Sequence, residues 1–424
     1  MLSSGKLGQR TTSTGTVRLT LLHREHPCSP VSMRPVDRSS LSISALPKYH
    51  ANVRRLAGRL SSCPTDQVNT SGPILANGIP WDYYSYVTQI QLGTPAKTHN
   101  VLVDTGSSLS WVGCEPCSSG CLNPVFDPDA SSTYNVVRCR SSLCNRVPSA
   151  TISRNTCILP FQKCSYNQTY KDDSMSVGLV SSDRLMYGRE EMQGFIFGCC
   201  NSFSGIGGQY SGILGLSVNK LSFFSQITLS RRYRAMSYCL PHPHKEGFLQ
   251  FGQYSEHHGL LSFTPLFIDG NQYYVQVSNI MVGTASLDAQ SNGNQTTRCF
   301  FDTGTPYTML PGHLFDSLID AVSKRMLGYY RVGASTGQTC FHRENFWDEE
   351  DMYIPTVRIM FRDGARITLV SEDLMFVEHQ EVYCLAFKRN DGSDMVLGSR
   401  HLMAVHTVVD LEKMTMGLRD QGCI

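Results

Sequence analysis

This sequence predicts an all-β chain folded as two related lobes, and three observations carry that prediction. Short runs with period-2 alternation, rich in β-branched and aromatic residues, recur between Gly, Asp and Asn from about residue 84 to the end. The pattern D-T-G-[ST] occurs twice, as Asp104-Thr105-Gly106-Ser107 and Asp302-Thr303-Gly304-Thr305, each time closing an apolar run. In 424 residues only 17% are charged, while 35 Gly and 19 Pro supply the turns that many short strands need. A chain of this length buries a sizeable core, which excludes a small scaffold and a long disordered or coiled-coil architecture.

Taken in order, residues 1–80 are rich in Ser, Pro and Arg and read as a basic prosegment or linker with one helical-looking patch, HANVRRLAGRL. The first 60 residues carry ten Lys and Arg against Glu25 and Asp37, although the whole chain is only +2, so a basic arm is attached to an acidic body. Such an arm can bind nucleic acid or a membrane, or cover an acidic surface of its own chain. A first series of strands follows over 84–265: YSYVTQIQLG, NVLVDTG, SYNQTYKDD, GLVSSDRLMYG, GFIFGC, SGILGLS and GFLQFG. A second occupies 270–424, with QYYVQVSNIMVG, RCFFDTG, TVRIMFRDGARITLV, DMVLGS and MAVHTVVDLEKMTMGL, and with GHLFDSLIDAVSKRML as the clearest helix. About a hundred residues after each D-T-G stands an apolar pair and a glycine, Ile213-Leu214-Gly215 and Val396-Leu397-Gly398, the mark of a duplicated lobe.

Sixteen cysteines, clustered at Cys114, Cys117, Cys121, Cys139, Cys144, Cys157 and Cys164, point to disulfides and an oxidising compartment. The C-x2-C-x3-C run is compatible with zinc, but no second ligand pair follows at finger spacing, and no metal or other cofactor is expected. Sequons at Asn69, Asn167 and Asn294 are glycosylation candidates. No apolar run near Met1 is long enough for a signal peptide, so either the true start lies upstream of this one, the reading the cysteines favour, or the protein stays in a reducing compartment with free thiols. No stretch reaches the roughly 18 apolar residues of a membrane span.

One D-T-G alone is an ordinary Asp-Gly turn after a strand. Two in register, on lobes related by a pseudo-twofold axis, bring Asp104 and Asp302 face to face at the floor of the cleft. Two carboxylates that close share a proton, so one can take a proton from water while the other donates to a carbonyl. The chemistry then asks for no nucleophilic side chain and no metal. Gly106 and Gly304 let the backbone turn its N–H groups toward the carboxylates, and Ser107 and Thr305 offer hydroxyls to the outer oxygens.

The strings YVTQIQLGTP, VLVDTGSSLSWVGC, FDPDASSTY, SGILGLSVNKLSFFSQ, SYCLP, FFDTGTPYTML, YCLAF and VVDLEKMTMGL closely resemble the pepsin-like aspartic proteases, and within them the plant nepenthesin-like group. LLHREHPCSP is similar to the propeptides of that group. The resemblance covers about residues 84 to 424 and implies a bilobal pepsin-like fold, acid hydrolysis of an extended polypeptide, and Asp104 and Asp302 as the dyad. It further implies Thr105 and Thr303 bracing the two loops, Tyr170 on a flap with Trp111 as its hydrogen-bond partner, a Cys340–Cys384 bridge, a monomer, and a secreted or vacuolar location. The flap departs from the usual Y-G-D-G-S, reading Tyr170-Lys171-Asp172-Asp173-Ser174, and Leu397-Gly398-Ser399-Arg400 departs from the usual Gly-Asn. The competing class is a pepsin-fold binding protein without activity, such as those that inhibit glycosidases, whose mark is loss of an Asp or of its neighbouring hydroxyl. Both are intact here. A nucleic-acid reading needs clustered cations on a folded face, and the body is acidic. LPHPHKEG and the pair His257-His258 lack ligand partners and read as surface loops.

Overall fold

The structure, a computed structural model, describes residues 16–26, 29, 31, 85–147, 157–158, 162–205, 210–231, 233–242, 245–254, 261–291, 295–333, 338–343, 353–379, 382–420 and 422–423. Strands dominate, as the period-2 runs require, and they gather into two large sheets. In one, Lys97–Asp104 lies parallel to Gly212–Gly215, with Asp104 opposite Gly215. In the other, Arg298–Asp302 lies parallel to Met395–Gly398, with Asp302 opposite Gly398. Parallel pairing buries both faces of these strands, which explains why they read as continuous apolar runs rather than alternating ones. Val101, Val103, Leu214, Cys299, Phe301 and Leu397 all lie in one continuous apolar core.

The first sheet does not stop at one lobe. Its order runs from Ser262–Pro265 through Thr415–Arg419, His406–Asp410, Ala235–Cys239 and Glu246–Phe251 to Val17–His23, and only then to Tyr86–Leu92 and Lys97–Asp104. The strand His406–Asp410 of the carboxyl-terminal half thus pairs with Ala235–Cys239 of the amino-terminal half and brings Thr415–Arg419 in beside it, and a Cys239–Cys423 disulfide closes the same seam.

Val17–His23 falls inside the stretch read from sequence as prosegment or linker. Here it is a strand of the sheet, antiparallel to Glu246–Phe251 over six residue pairs and to Tyr86–Val87 on its other edge. Its alternation VRLTLLH buries Val17, Leu19, Leu21 and His23. The guanidinium of Arg18 lies 4.1 Å from the Phe248 ring centre, and Thr88 Oγ1 donates to Thr20 O.

A hairpin of Lys163–Thr169 and Met175–Tyr187 projects from the amino-terminal lobe, closing at Thr169 and Met175. The carboxyl-terminal lobe carries the amphipathic helix Gly312–Ser323, which buries Leu314, Phe315, Leu318, Ile319 and Val322. Among the described residues no helix is long and apolar enough to cross a membrane.

Candidate active site

Both D-T-G loops leave the ends of parallel strands, where the chain must turn sharply, and they meet. Thr105 Oγ1 donates to Phe301 O and Thr303 Oγ1 donates to Val103 O, each at 2.7 Å. The same hydroxyls accept from the opposite backbone, Thr303 N to Thr105 Oγ1 and Thr105 N to Thr303 Oγ1, both at 3.0 Å. Four hydrogen bonds between buried groups therefore lock one lobe's loop to the other, in a geometry that maps onto itself when the lobes are exchanged.

The carboxylates are held the same way. Asp104 Oδ1 accepts from Gly106 N at 2.8 Å and Oδ2 from Ser107 Oγ at 2.5 Å. Asp302 Oδ1 accepts from Gly304 N at 3.0 Å and Oδ2 from Thr305 Oγ1 at 2.7 Å. A Cβ on Gly106 would stand 2.8 Å from Asp302 Oδ1, and one on Gly304 would stand 2.6 Å from Asp104 Cγ. Glycine is demanded at both sites by the opposite carboxylate. Burial raises the Asp104 carboxyl far above its ordinary value, and the neighbouring Asp302 charge raises it further, against the hydrogen bonds from Ser107 and Gly106. The pair thus retains a proton well above the range of an isolated carboxylate, which equips it to bind a water and polarise a carbonyl together.

Tyr170 sits at the start of the hairpin turn, half-buried, and its hydroxyl accepts from Trp111 Nε1 at 2.7 Å. Burial raises the Tyr170 phenol, and the Asp104 charge adds to that, so it remains a neutral hydroxyl beside the dyad. Trp111 is fixed in turn by the strand Trp111–Gly113, which pairs with Ile213 and Gly198, and by stacking on Phe203 at 5.4 Å. The turn has a physical account despite its missing glycines. Asp173 takes φ 63°, a region that Asp tolerates, and Asp172 Oδ1 accepts from Ser174 N and Ser174 Oγ.

Chain order alone does not reveal several supports. Ser110 Oγ accepts from Gly215 N at 3.0 Å, and Thr308 Oγ1 accepts from Gly398 N at 3.1 Å. Each stands six positions after its aspartate, so extending the internal repeat would have found them. Gln272 Nε2 donates to Gly106 O at 2.8 Å across the lobes, and nothing in the sequence signals it.

Of the other expected residues, Cys340 and Cys384 are bridged, opposite each other on adjacent strands. Cys114 pairs with Cys199, Cys117 with Cys121 and Cys144 with Cys164, so the C-x2-C-x3-C run is used in disulfides. Among the described residues Cys200 and Cys299 are free and buried. Asn167 lies within the strand Lys163–Thr169 with its Oδ1 buried, and Asn69 and Asn294 lie outside the described residues.

Residues 86–253 match the family described as xylanase inhibitor N-terminal, and 272–420 its C-terminal counterpart. An aspartyl protease family protein of Arabidopsis thaliana is 30% identical over 432 residues, 97% of this chain and 88% of that protein. The chain belongs to the pepsin-like aspartic proteases, in their plant nepenthesin-like group. Within that family, aspartic proteinase nepenthesin-1 of Nepenthes gracilis is 26% identical over 355 residues, 80% of this chain and 78% of that protein. Among solved structures, conglutin gamma from lupine seeds superposes with TM-score 0.64 at 21% identity, over 79% of this chain and 91% of that one. Basic 7S globulin from soybean does so with TM-score 0.63 at 20% identity, over the same shares. These two likenesses concern the fold.

Proposed function

We propose that this family member is an active acid endopeptidase. The observation that carries the reading is the reciprocal closure of the two loops, which presses the carboxylates of Asp104 and Asp302 together with one hydroxyl and one backbone N–H on each. In the reaction, the ionised carboxylate takes a proton from a water bound between the two, and the water oxygen attacks the scissile carbonyl carbon. The protonated carboxyl hydrogen-bonds the carbonyl oxygen as charge builds there. The proton taken from water then passes to the leaving amine as the C–N bond breaks. Tyr170, anchored on Trp111, closes the far side of the cleft and keeps solvent from the reacting carbonyl.

The test is cleavage of a denatured protein substrate in acid, with and without a statine-type inhibitor. Inhibitable cleavage supports the reading. Inactivity of well-folded, fully processed protein across the acid range would overturn it.

A second reading is favoured by the family description itself, which names xylanase inhibitors: the chain would bind a glycosidase through the same fold. Nanomolar binding to a xylanase, without proteolysis, would support it.

The basic amino-terminal arm fits an inhibitory prosegment, and the charge split between arm and body supports this. The part of the arm that would cross the cleft, residues 32–84, lies outside the described residues. Incubating full-length protein at graded acid pH and following mass and activity together tests it, and an intact chain as active as the truncated one would reject it. The bridges Cys114–Cys199, Cys144–Cys164, Cys239–Cys423 and Cys340–Cys384 fit an oxidising, secreted or vacuolar location.

A further inference from the structure

The hairpin tip carries a cation that nothing above uses. Lys171 follows Tyr170, whose hydroxyl is tied to Trp111, so the Lys171 backbone is held over the cleft. Its side chain crosses to the other lobe, with Nζ 5.6 Å from the ring centre of Phe300. Phe300 stands two residues before Asp302 on the same strand, and side chains two apart share a face, so Phe300 flanks the dyad on the carboxyl-terminal side. Behind it Tyr274 meets Phe300 edge-on at 5.6 Å and stacks on Phe267 at 5.6 Å, forming an aromatic wall.

Several charges near this wall are already paired. Arg298 lies over the Tyr274 ring and is bonded to both Asp269 and Asp394. Asp172 is bonded to Ser174, while Asp104 and Asp302 are held in their own loops. Lys171 is exposed, and among the described residues it faces no carboxylate within ion-pair distance. An ammonium beside an aromatic face, at the edge of a cleft that a substrate would fill, has one site left for an anion.

We propose that Lys171 is a specificity residue, which holds a carboxylate side chain of the bound polypeptide against the Phe300 wall. The proposal rests on the protease reading for the occupant of the cleft, and it names that occupant as a peptide with Asp or Glu at the position seated beside Phe300. Its carboxylate would pair with Lys171 Nζ.

The experiment uses peptides that differ only by Glu or Gln at successive positions around the cleaved bond, and matching statine-type peptides that bind without being cut. Cleavage is read as kcat/KM and binding by calorimetry, for the native protein and for Lys171→Met and Lys171→Glu. Lys171 is exposed at a turn, and circular dichroism confirms that each variant is folded. At one position the native protein is expected to prefer Glu over Gln by about tenfold, with the ratio near one in Lys171→Met and reversed in Lys171→Glu. Because the Glu side chain must be ionised, the native ratio should also fall toward one as pH drops through about 4.3. A Glu-to-Gln ratio that is the same in native and Lys171→Met at every position, in binding as in cleavage, overturns the proposal. Binding that depends on Lys171 without any cleavage would uphold it and sink the hydrolytic reading instead.

Discussion

The two D-T-G loops are nearly superimposable in their bonding, yet the structures that stand behind them differ. In the amino-terminal lobe Ser217 N donates to Ser107 O and Leu216 N to Asp104 O. In the carboxyl-terminal lobe Ser399 N donates to Thr305 O, but the chain then enters the short helix Ser399–Leu402. There Arg400 sends its guanidinium to the carbonyls of Glu372, Asp373 and Met375, and His401 shares a hydrogen bond with Thr308 Oγ1 at 2.7 Å. Three positions after the glycine of each turn stand Val218 in one lobe and His401 in the other. The comparison teaches that the residues touching the carboxylates are alike in the two lobes, while the next layer is free to reach the same rigidity by different chemistry.

Abolishing the symmetric part should have the largest effect. Asp104→Asn and Asp302→Asn are each expected to lower kcat on a denatured protein substrate by about 10²–10⁴-fold in acid, because either change removes the shared proton's partner. If one Asn variant kept native activity, the two loops would not be equivalent in the chemistry. The shared proton also sets the alkaline limb. Since burial and the Asp302 charge raise the Asp104 carboxyl, the expected outcome in a pH–rate profile is a loss of cleavage as pH rises enough to strip the pair's remaining proton.

Disulfides sharpen the contrast at a smaller scale. Replacing Cys340 and Cys384 by Ser opens a loop with sequence separation 44, for which chain entropy predicts a loss of about 4 kcal/mol. The same change at Cys117 and Cys121, separation 4, is expected to cost about 2 kcal/mol. Denaturant unfolding of the two double variants measures the difference. Equal losses would mean that the denatured chain does not behave as the entropy argument requires.

Thr105→Val and Thr303→Val test the lock between the loops. Each leaves a buried carbonyl and a buried N–H of the opposite loop without its partner, at about 1–3 kcal/mol per unsatisfied group. The two losses should agree closely in thermal unfolding. A gap of more than about 1 kcal/mol, the size of one net hydrogen bond, would show that one lobe's loop is braced independently.

The smallest effect at neutral pH concerns His401. Burial lowers its imidazole to about 3, with the Arg400 charge acting in the same direction. Between that value and the ordinary 6.5 the unfolded chain binds a proton that the folded one refuses, so folded stability falls as pH drops through this window. His401→Gln can keep the hydrogen bond to Thr308 without the proton, and it should flatten stability against pH between about 6.5 and 3 while changing little at pH 7. An unchanged slope would remove His401 from the acid response. Asp104 acts in the opposite sense, since its raised value makes the folded chain hold the extra proton, and acid favours folding there.

By itself the sequence determined the class, the duplication and the dyad. Those are local or repeated signals: alternation fixes strands, and D-T-G written twice after apolar runs marks one turn chemistry used twice. It also exposed the flap departure, whose resolution needed backbone angles, because only a φ of 63° at Asp173 explains how Asp replaces glycine. The tertiary structure alone decided what depends on long-range pairing. Val17–His23 reads as part of a basic arm, because its polar, Arg-containing surroundings hide a seven-residue alternation whose partner strand lies more than 220 positions away. The last two strands read as part of the second lobe, but pairing of His406–Asp410 with Ala235–Cys239, and of Thr415–Arg419 with His406–Asp410, sets them in the sheet that joins both halves. Gln272 on Gly106 O and Lys171 on Phe300 are contacts between lobes, and no local pattern encodes which surfaces meet when two lobes close on one cleft.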